Sequence, residues 1–262
     1  MSSFYYYKLD ILYLCTMEKI TPSISKRVYQ QIEATPVGQI FGYADFKLSD
    51  QQQLALAQSL SRLTKKGVIN RLTKGKYYKP KNSIFGPLKP TESEIVNSLT
   101  ESNNTITGYV TGLDLFNSMG LTTQIPNVIT IATNKVLPKK KIGVYRIKYI
   151  KQNTIISKNN IPLLQLLDAI KAIKRIPDTE VNTTFQLLVD KLRKLDDKRK
   201  LEFLKEARNY NAATRAIVGA LYEQYFPELN CSELENSLNP LTSYQIGISS
   251  KYLPNKLKWK LT

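Results

Sequence analysis

Apolar positions in the first third of the chain fall at helical spacing. Ile24, Val28 and Ile32 stand four apart behind Ser23, whose hydroxyl can accept from a free first-turn amide. Thr35-Pro36 closes the segment, because a residue before proline avoids helical geometry. Residues 41–46 mix apolar and polar positions and predict one or two further helical turns. Ser49 and Gln52 have capping-box spacing, opening a helix from Asp50 to about Lys66 that Gly67 ends. At about 100° per residue, Leu56, Leu60 and Leu63 share one stripe, and Gln58, Ser61, Arg62 and Lys65 lie opposite with Leu54 and Ala55. One face packs; the other is free to touch a partner. Residues 68–72 and 76–79 are β-prone runs joined by Thr73-Lys74-Gly75, a hairpin signal. Helix, short helix, helix, hairpin is the order of a winged helix-turn-helix, whose third helix enters the major groove of DNA.

Further along, Pro80, Pro87 and Pro90 mark a linker over residues 81–90. Thr91 and Glu94 repeat the capping-box spacing ahead of Ile95, Val96 and Leu99. Residues 110–119 predict a helix ended by Gly120, and residues 127–133 and 142–150 read as strands. In the second strand Tyr145, Ile147 and Tyr149 alternate with Val144, Arg146 and Lys148, which gives the sheet a core side and a basic side. Leu163, Leu164, Leu167, Ile170 and Ile173 begin a helical region that continues through residues 185–192, 201–207 and 212–225. At the tail, Lys256, Lys258 and Lys260 alternate with Leu257, Trp259 and Leu261 as in a half-buried strand. The expected fold class is α+β. A winged helix-turn-helix over residues 17–80 is followed by the linker and a mixed α/β domain over residues 91–262 with a helical C-terminal bundle. Residues 1–16 read as an upstream extension, with Met17 as the start.

Charge sharpens this picture. Thirty-eight Lys and Arg against 21 Asp and Glu leave a formal +17, which points to a polyanionic partner. The excess is local. No acid occurs between residues 51 and 91, which hold Arg62, Lys65, Lys66, Arg71, Lys74, Lys76, Lys79, Lys81 and Lys89. A second acid-free run, residues 115–167, carries Lys135, Lys139, Lys140, Lys141, Arg146, Lys148, Lys151 and Lys158. Gln58 and Arg62 have forked side chains that pair with adenine and guanine edges, with Ser61 beside them. Lys65, Lys66, Arg71, Lys74 and Lys76 suit phosphates, so specificity is expected on the helix and affinity on the wing. Lys139, Lys140 and Lys141 read first as a solubilising loop before a strand. With Arg146 and Lys148 they form the alternative, a second phosphate contact.

The same residues carry a family resemblance. Ala44-Asp45-Phe46, followed by the run from Leu60-Ser61-Arg62-Leu63 through Gly67-Val68-Ile69-Asn70-Arg71 to Gly75-Lys76-Tyr77-Tyr78, resembles the N-terminal winged helix of AbiEi-type antitoxins. Those proteins belong to abortive-infection (type IV) toxin-antitoxin systems of phage defence, and the likeness covers roughly residues 22–80. Gly120-Leu121-Thr122-Thr123-Gln124-Ile125-Pro126 and Ser237-Leu238-Asn239-Pro240-Leu241-Thr242-Ser243-Tyr244 are similar to a subgroup of the same proteins. The resemblance implies a transcriptional autorepressor that binds double-stranded promoter DNA. It also implies an antitoxin that counters a nucleotidyltransferase-type toxin encoded nearby.

Catalysis is not expected. Histidine is absent, which excludes Ser-His-Asp and Cys-His chemistry and histidine-bound zinc. Cys15 and Cys231 are too few for a disulfide framework or a four-thiolate site, so a reducing cytoplasm is the expected compartment. No glycine-rich phosphate cradle occurs, and the central strands hold no carboxylates for a metal. No cofactor, metal site or membrane span is expected. Two other binding roles remain. One is a protein-binding module whose basic C-terminal surface grips an acidic partner, with DNA binding secondary. The other is RNA binding, which would need Tyr145 and Tyr149 exposed as stacking platforms.

Overall fold

The computed structural model describes residues 22–84, 86–102 and 105–262. The expected upstream extension and Met17 lie outside the described residues. The architecture is α+β, and the chain divides into two compact units between Glu94 and Ile95.

In the first unit, helix α1 (Ile24–Ala34) starts as its pattern requires, with Ser23 Oγ accepting from the Lys26 amide at 3.3 Å. Val28 and Ile32 are its buried stripe. Its end is closed from a distance: Lys79 Nζ donates to the Glu33 carbonyl at 2.9 Å, satisfying an acceptor that has no partner within the helix. Residues 41–46 depart from the expected helical turns. Ile40–Gly42 is a strand, β1, and Tyr43–Phe46 is a 3-10 turn. The cause is pairing at long range, since Ile40 and Phe41 lie opposite Tyr78 and Tyr77, with the Phe41 and Tyr77 rings stacked at 6.3 Å.

A second 3-10 turn, Asp50–Gln52, leads into α2 (Gln53–Lys65), where the Ser49 amide donates to Gln52 Oε1 at 3.4 Å. Gly67 ends the helix with φ +71°, and the Val68 amide reaches back to the Leu63 carbonyl at 3.1 Å. That closure needs a left-handed residue, which glycine supplies without strain. Strands β2 (Asn70–Thr73) and β3 (Lys76–Tyr78) form the expected hairpin, and β1 joins it in an antiparallel sheet of order β1-β3-β2. Val28, Ile32, Phe41, Phe46, Leu56, Leu60, Leu63, Ile69 and Tyr77 make the core of this unit. The expected linker is not irregular: β4 (Lys81–Ser83) and β5 (Gly86–Leu88) pair as a further hairpin.

Helix α3 (Glu92–Thr100) opens on a full capping box. The Thr91 amide donates to Glu94 Oε2 at 2.6 Å, and the Glu94 amide donates to Thr91 Oγ1 at 3.3 Å. After the short pair β6 (Glu101–Ser102) and β7 (Thr105–Ile106), the second unit builds a sheet from β8 (Gly108–Thr111), β9 (Val128–Thr133), β10 (Lys140–Ile142) and β11 (Tyr145–Lys151). Its order is β10-β11-β9-β8, with β9 and β11 parallel. The helix expected over residues 110–119 is shortened to α4 (Leu113–Ser118), because Val110 and Thr111 pair with Ile131 and Thr130 in the sheet. The lysine run is a loop only at Lys139: Lys140 and Lys141 lie inside edge strand β10.

Helices α5 (Ile161–Ala172), α6 (Val181–Arg193), α7 (Asp197–Ala207), α8 (Ala212–Tyr225) and α9 (Ser232–Asn236) form the helical layer. Central α5 is apolar nearly all round: Leu163, Leu164, Leu166, Leu167, Ala169 and Ile170 are all buried. The tail corrects the strand reading of residues 256–261. It is a series of turns with one bridge, Tyr244 to Leu261. Trp259 is fully buried while Leu257 is 71% exposed, which no regular alternation of one face would produce. Among the described residues no helix is long and apolar enough to cross a membrane.

Candidate nucleic-acid interface

Helix α2 owes its orientation to its leucines. Leu56 and Leu60 are 0% exposed, and burying each contributes about 1.5–3 kcal/mol. Ser59 is a buried polar residue that the apolar pattern does not flag. Its hydroxyl donates to the Ala55 carbonyl at 2.8 Å and lies 3.0 Å from the Ser25 hydroxyl, tying α2 to α1. With that side fixed, Gln58, Ser61, Arg62, Lys65 and Lys66 are all solvent-facing, as their spacing predicts. Arg62 Nε donates along the helix to the Gln58 carbonyl at 3.4 Å. Leu54, in the first turn of α2, is 71% exposed on the same polar side. The helical pattern places it there, but the sequence offers no sign that it belongs with the polar contact residues. An exposed aliphatic beside Gln58 is suited to a thymine methyl.

The hairpin packs on the same core through Tyr77, and it carries Arg71 exposed on β2 and Lys76 half-buried on β3, with Lys74 in the turn between them. Arg71 stands opposite Tyr77 in the ladder. Burial pushes the Tyr77 phenol up, the hydrogen bond with Tyr43 adds to this, and the Arg71 charge opposes it. The result is a neutral phenol beside a cation. The ion pairs Arg193–Asp190, Arg199–Glu202, Lys200–Asp197, Arg208–Glu233, Lys258–Glu223 and Lys258–Glu235 include none of Arg62, Lys65, Lys66, Arg71 or Lys74. Helix and hairpin thus join forked polar groups to cations, of which Arg62, Lys65, Lys66, Arg71 and Lys74 are in none of these ion pairs, an arrangement that can read base edges and hold phosphates.

The second basic group splits. Lys141 lies directly opposite Arg146 across β10 and β11, and both are exposed. Lys139 is exposed ahead of the strand, Lys140 is half-buried opposite Ile147, and Lys148 lines a cleft beside the helical layer. Tyr145 and Tyr149 are half-buried, which leaves no open aromatic platform on that strand. Among the described residues no His, Cys, Asp or Glu cluster could hold a metal ion.

The sequence of residues 27–204, from within α1 to within α7, matches one family pattern. The chain belongs to DUF6088, a family of unknown function. This DUF6088 chain is also similar to the crystal structure of the RV2827C protein from Mycobacterium tuberculosis. The two are 13% identical with a TM-score of 0.48, over 92% of this chain and 91% of that one. No curated protein matches the sequence.

Proposed function

We propose that this DUF6088 chain is a DNA-binding transcriptional autorepressor and antitoxin of the AbiEi type. It acts in the cytoplasm without catalysis or cofactor and counters a nucleotidyltransferase-type toxin encoded nearby. The observation that carries the DNA-binding part is the outward placement of Gln58, Ser61, Arg62 and Lys65 over a buried leucine stripe, next to a hairpin bearing Arg71 and Lys74. The helix supplies base contacts and the hairpin supplies phosphate contacts. The toxin part follows from the sequence resemblance.

Fluorescence anisotropy with the upstream promoter and with random duplex tests the division of roles. Arg62→Ala should cost about 1–3 kcal/mol on the operator and little on random DNA, while Lys74→Ala should weaken both alike. Equal weakening on both duplexes for Arg62→Ala would overturn the assignment. Co-expression with the neighbouring toxin tests the second role. Growth rescue that persists when Arg62→Ala and Lys74→Ala are combined places antitoxicity outside the helix and hairpin. Absence of rescue by the unaltered chain removes the antitoxin role.

A further inference from the structure

The second unit contains a cleft of about 630 Å³ between its sheet and α5, within the size range of small-molecule sites. Lys148, Lys151, Lys171 and Arg175 line it, against the single carboxylate of Asp168, so the lining carries a formal +3. Lys171 follows Asp168 by three residues on the same face of α5, and Arg175 ends the 3-10 turn, Ile173–Arg175, that continues the helix. That acid is already engaged: Oδ2 accepts from Tyr109 at 2.9 Å and Thr111 at 2.8 Å, and Oδ1 accepts from Tyr210 at 2.8 Å. Gln152 Nε2 holds both tyrosine hydroxyls, at 2.7 and 3.0 Å. Asp168 therefore acts as a fixed part of the floor, with its acceptor capacity committed inside the protein.

The four cations are exposed at the cleft, and none of them is in an ion pair among the described residues. Lys171 Nζ lies 5.7 Å from the centre of the Tyr210 ring, which orients it without neutralising it. The field extends along the sheet. Arg146 and Lys148, two apart, share one face of β11, and Lys141 stands opposite Arg146. Like charges directly opposed in a sheet are destabilising, and an anion bound alongside would relieve the repulsion. The rest of the lining is of another kind. Leu113, Phe116 and Ile150 give apolar wall, and Thr130 gives a hydroxyl. A ligand complementary to both parts has a polyanionic group and a flat apolar group joined in one small molecule. A duplex backbone offers the first alone, on a convex surface.

We propose that this cleft binds a nucleoside phosphate, its phosphates held by Lys148, Lys171 and Arg175 and its base set against the Leu113–Phe116 wall. The proposal is independent of the DNA-binding role assigned to α2 and its hairpin. Isothermal titration calorimetry of the full chain tests it, with ATP, GTP, CTP and UTP, inorganic pyrophosphate, adenosine and a short single-stranded oligonucleotide as separate probes. At least one nucleotide should bind in the micromolar range, with pyrophosphate and adenosine each about tenfold weaker or more. Lys171→Ala combined with Arg175→Ala should weaken that nucleotide by about tenfold or more, because two charged donors to the phosphates are removed. Lys148→Met should weaken it as well, whereas Arg62→Ala should not. All of these positions are exposed, so unchanged thermal unfolding is the check that the variants are folded. Three results would overturn the proposal: no nucleotide binding below millimolar, pyrophosphate binding as tightly as any nucleotide, or the oligonucleotide outcompeting every mononucleotide.

Discussion

Gly219 lies in α8 against the indole of Trp259: a Cβ built there would meet ring atom Cζ3 at 1.9 Å. Trp259 is fully buried and its indole Nε1 donates to Glu223 Oε2 at 2.7 Å, so the ring is held both by packing and by a directional bond. In an open helix, replacing glycine with alanine stabilises by about 1 kcal/mol. Here the added methyl must displace an indole that has nowhere to go, and overpacking of this kind costs about 1–3 kcal/mol. Gly219→Ala should therefore lower the urea midpoint of the second unit. An unchanged or higher midpoint would show that the ring shifts freely. A single glycine in a helical run gives no hint of this role, because its partner is forty residues away in the chain. Asp168 is equally illegible in the sequence. Its hydrogen-bond donors Tyr109, Thr111 and Tyr210 stand 59, 57 and 42 residues distant, and an acid within an apolar helix looks like any solvated charge until they are placed.

Helix α2 and its hairpin are legible because every signal that defines them is local: a capping pair three residues apart, leucines at helical spacing, and a glycine after the last turn. Strand β1 is not, because its conformation is set by Tyr77 and Tyr78, more than thirty residues later. The tail misleads for a related reason. Its alternating lysines imitate a strand, but the geometry is set by a latch onto α8. Glu223 there accepts from Trp259, from Asn255 at 2.8 Å and from Lys258. Burial alone would raise the Glu223 pKa, but the hydrogen bonds from Lys258, Trp259 and Asn255 outweigh it and hold the carboxyl below its ordinary value. A carboxyl with a lowered folded pKa adds stability that is fully present above its unfolded value, about 4.3, and is lost as pH falls through the folded value. Urea unfolding between neutral and acid pH should thus show an acid limb that Glu223→Gln flattens, with the variant less stable than the parent at pH 7. Parallel pH curves for the two proteins would show that the latch contributes nothing through ionisation.

At the scale of the molecule, a formal +17 is distributed over structures with different reasons to be basic. Each unit has its own apolar core, one around α2 and Tyr77 and the other around α5 and α8. Lys79 is committed to closing α1, and the lysines of β10 sit on a sheet edge. An open edge pairs readily with another chain, and charged side chains, lysine above all, discourage this. Edge protection accounts for Lys139, Lys140 and Lys141 without any DNA contact, and salt dependence separates the two roles. If about six to eight phosphates are neutralised, log affinity for the promoter should fall against log salt with a slope of about −5 to −7. Replacing Lys139, Lys140 and Lys141 together by glutamine should leave that slope unchanged, while light scattering at raised protein concentration reports more self-association. If those lysines bound phosphates, the slope would shrink in magnitude by about 2 to 3, close to one unit for each lysine replaced. A smaller slope with no added scattering would assign the β10 lysines to DNA, and the duplex would then have to reach the sheet of the second unit as well as α2.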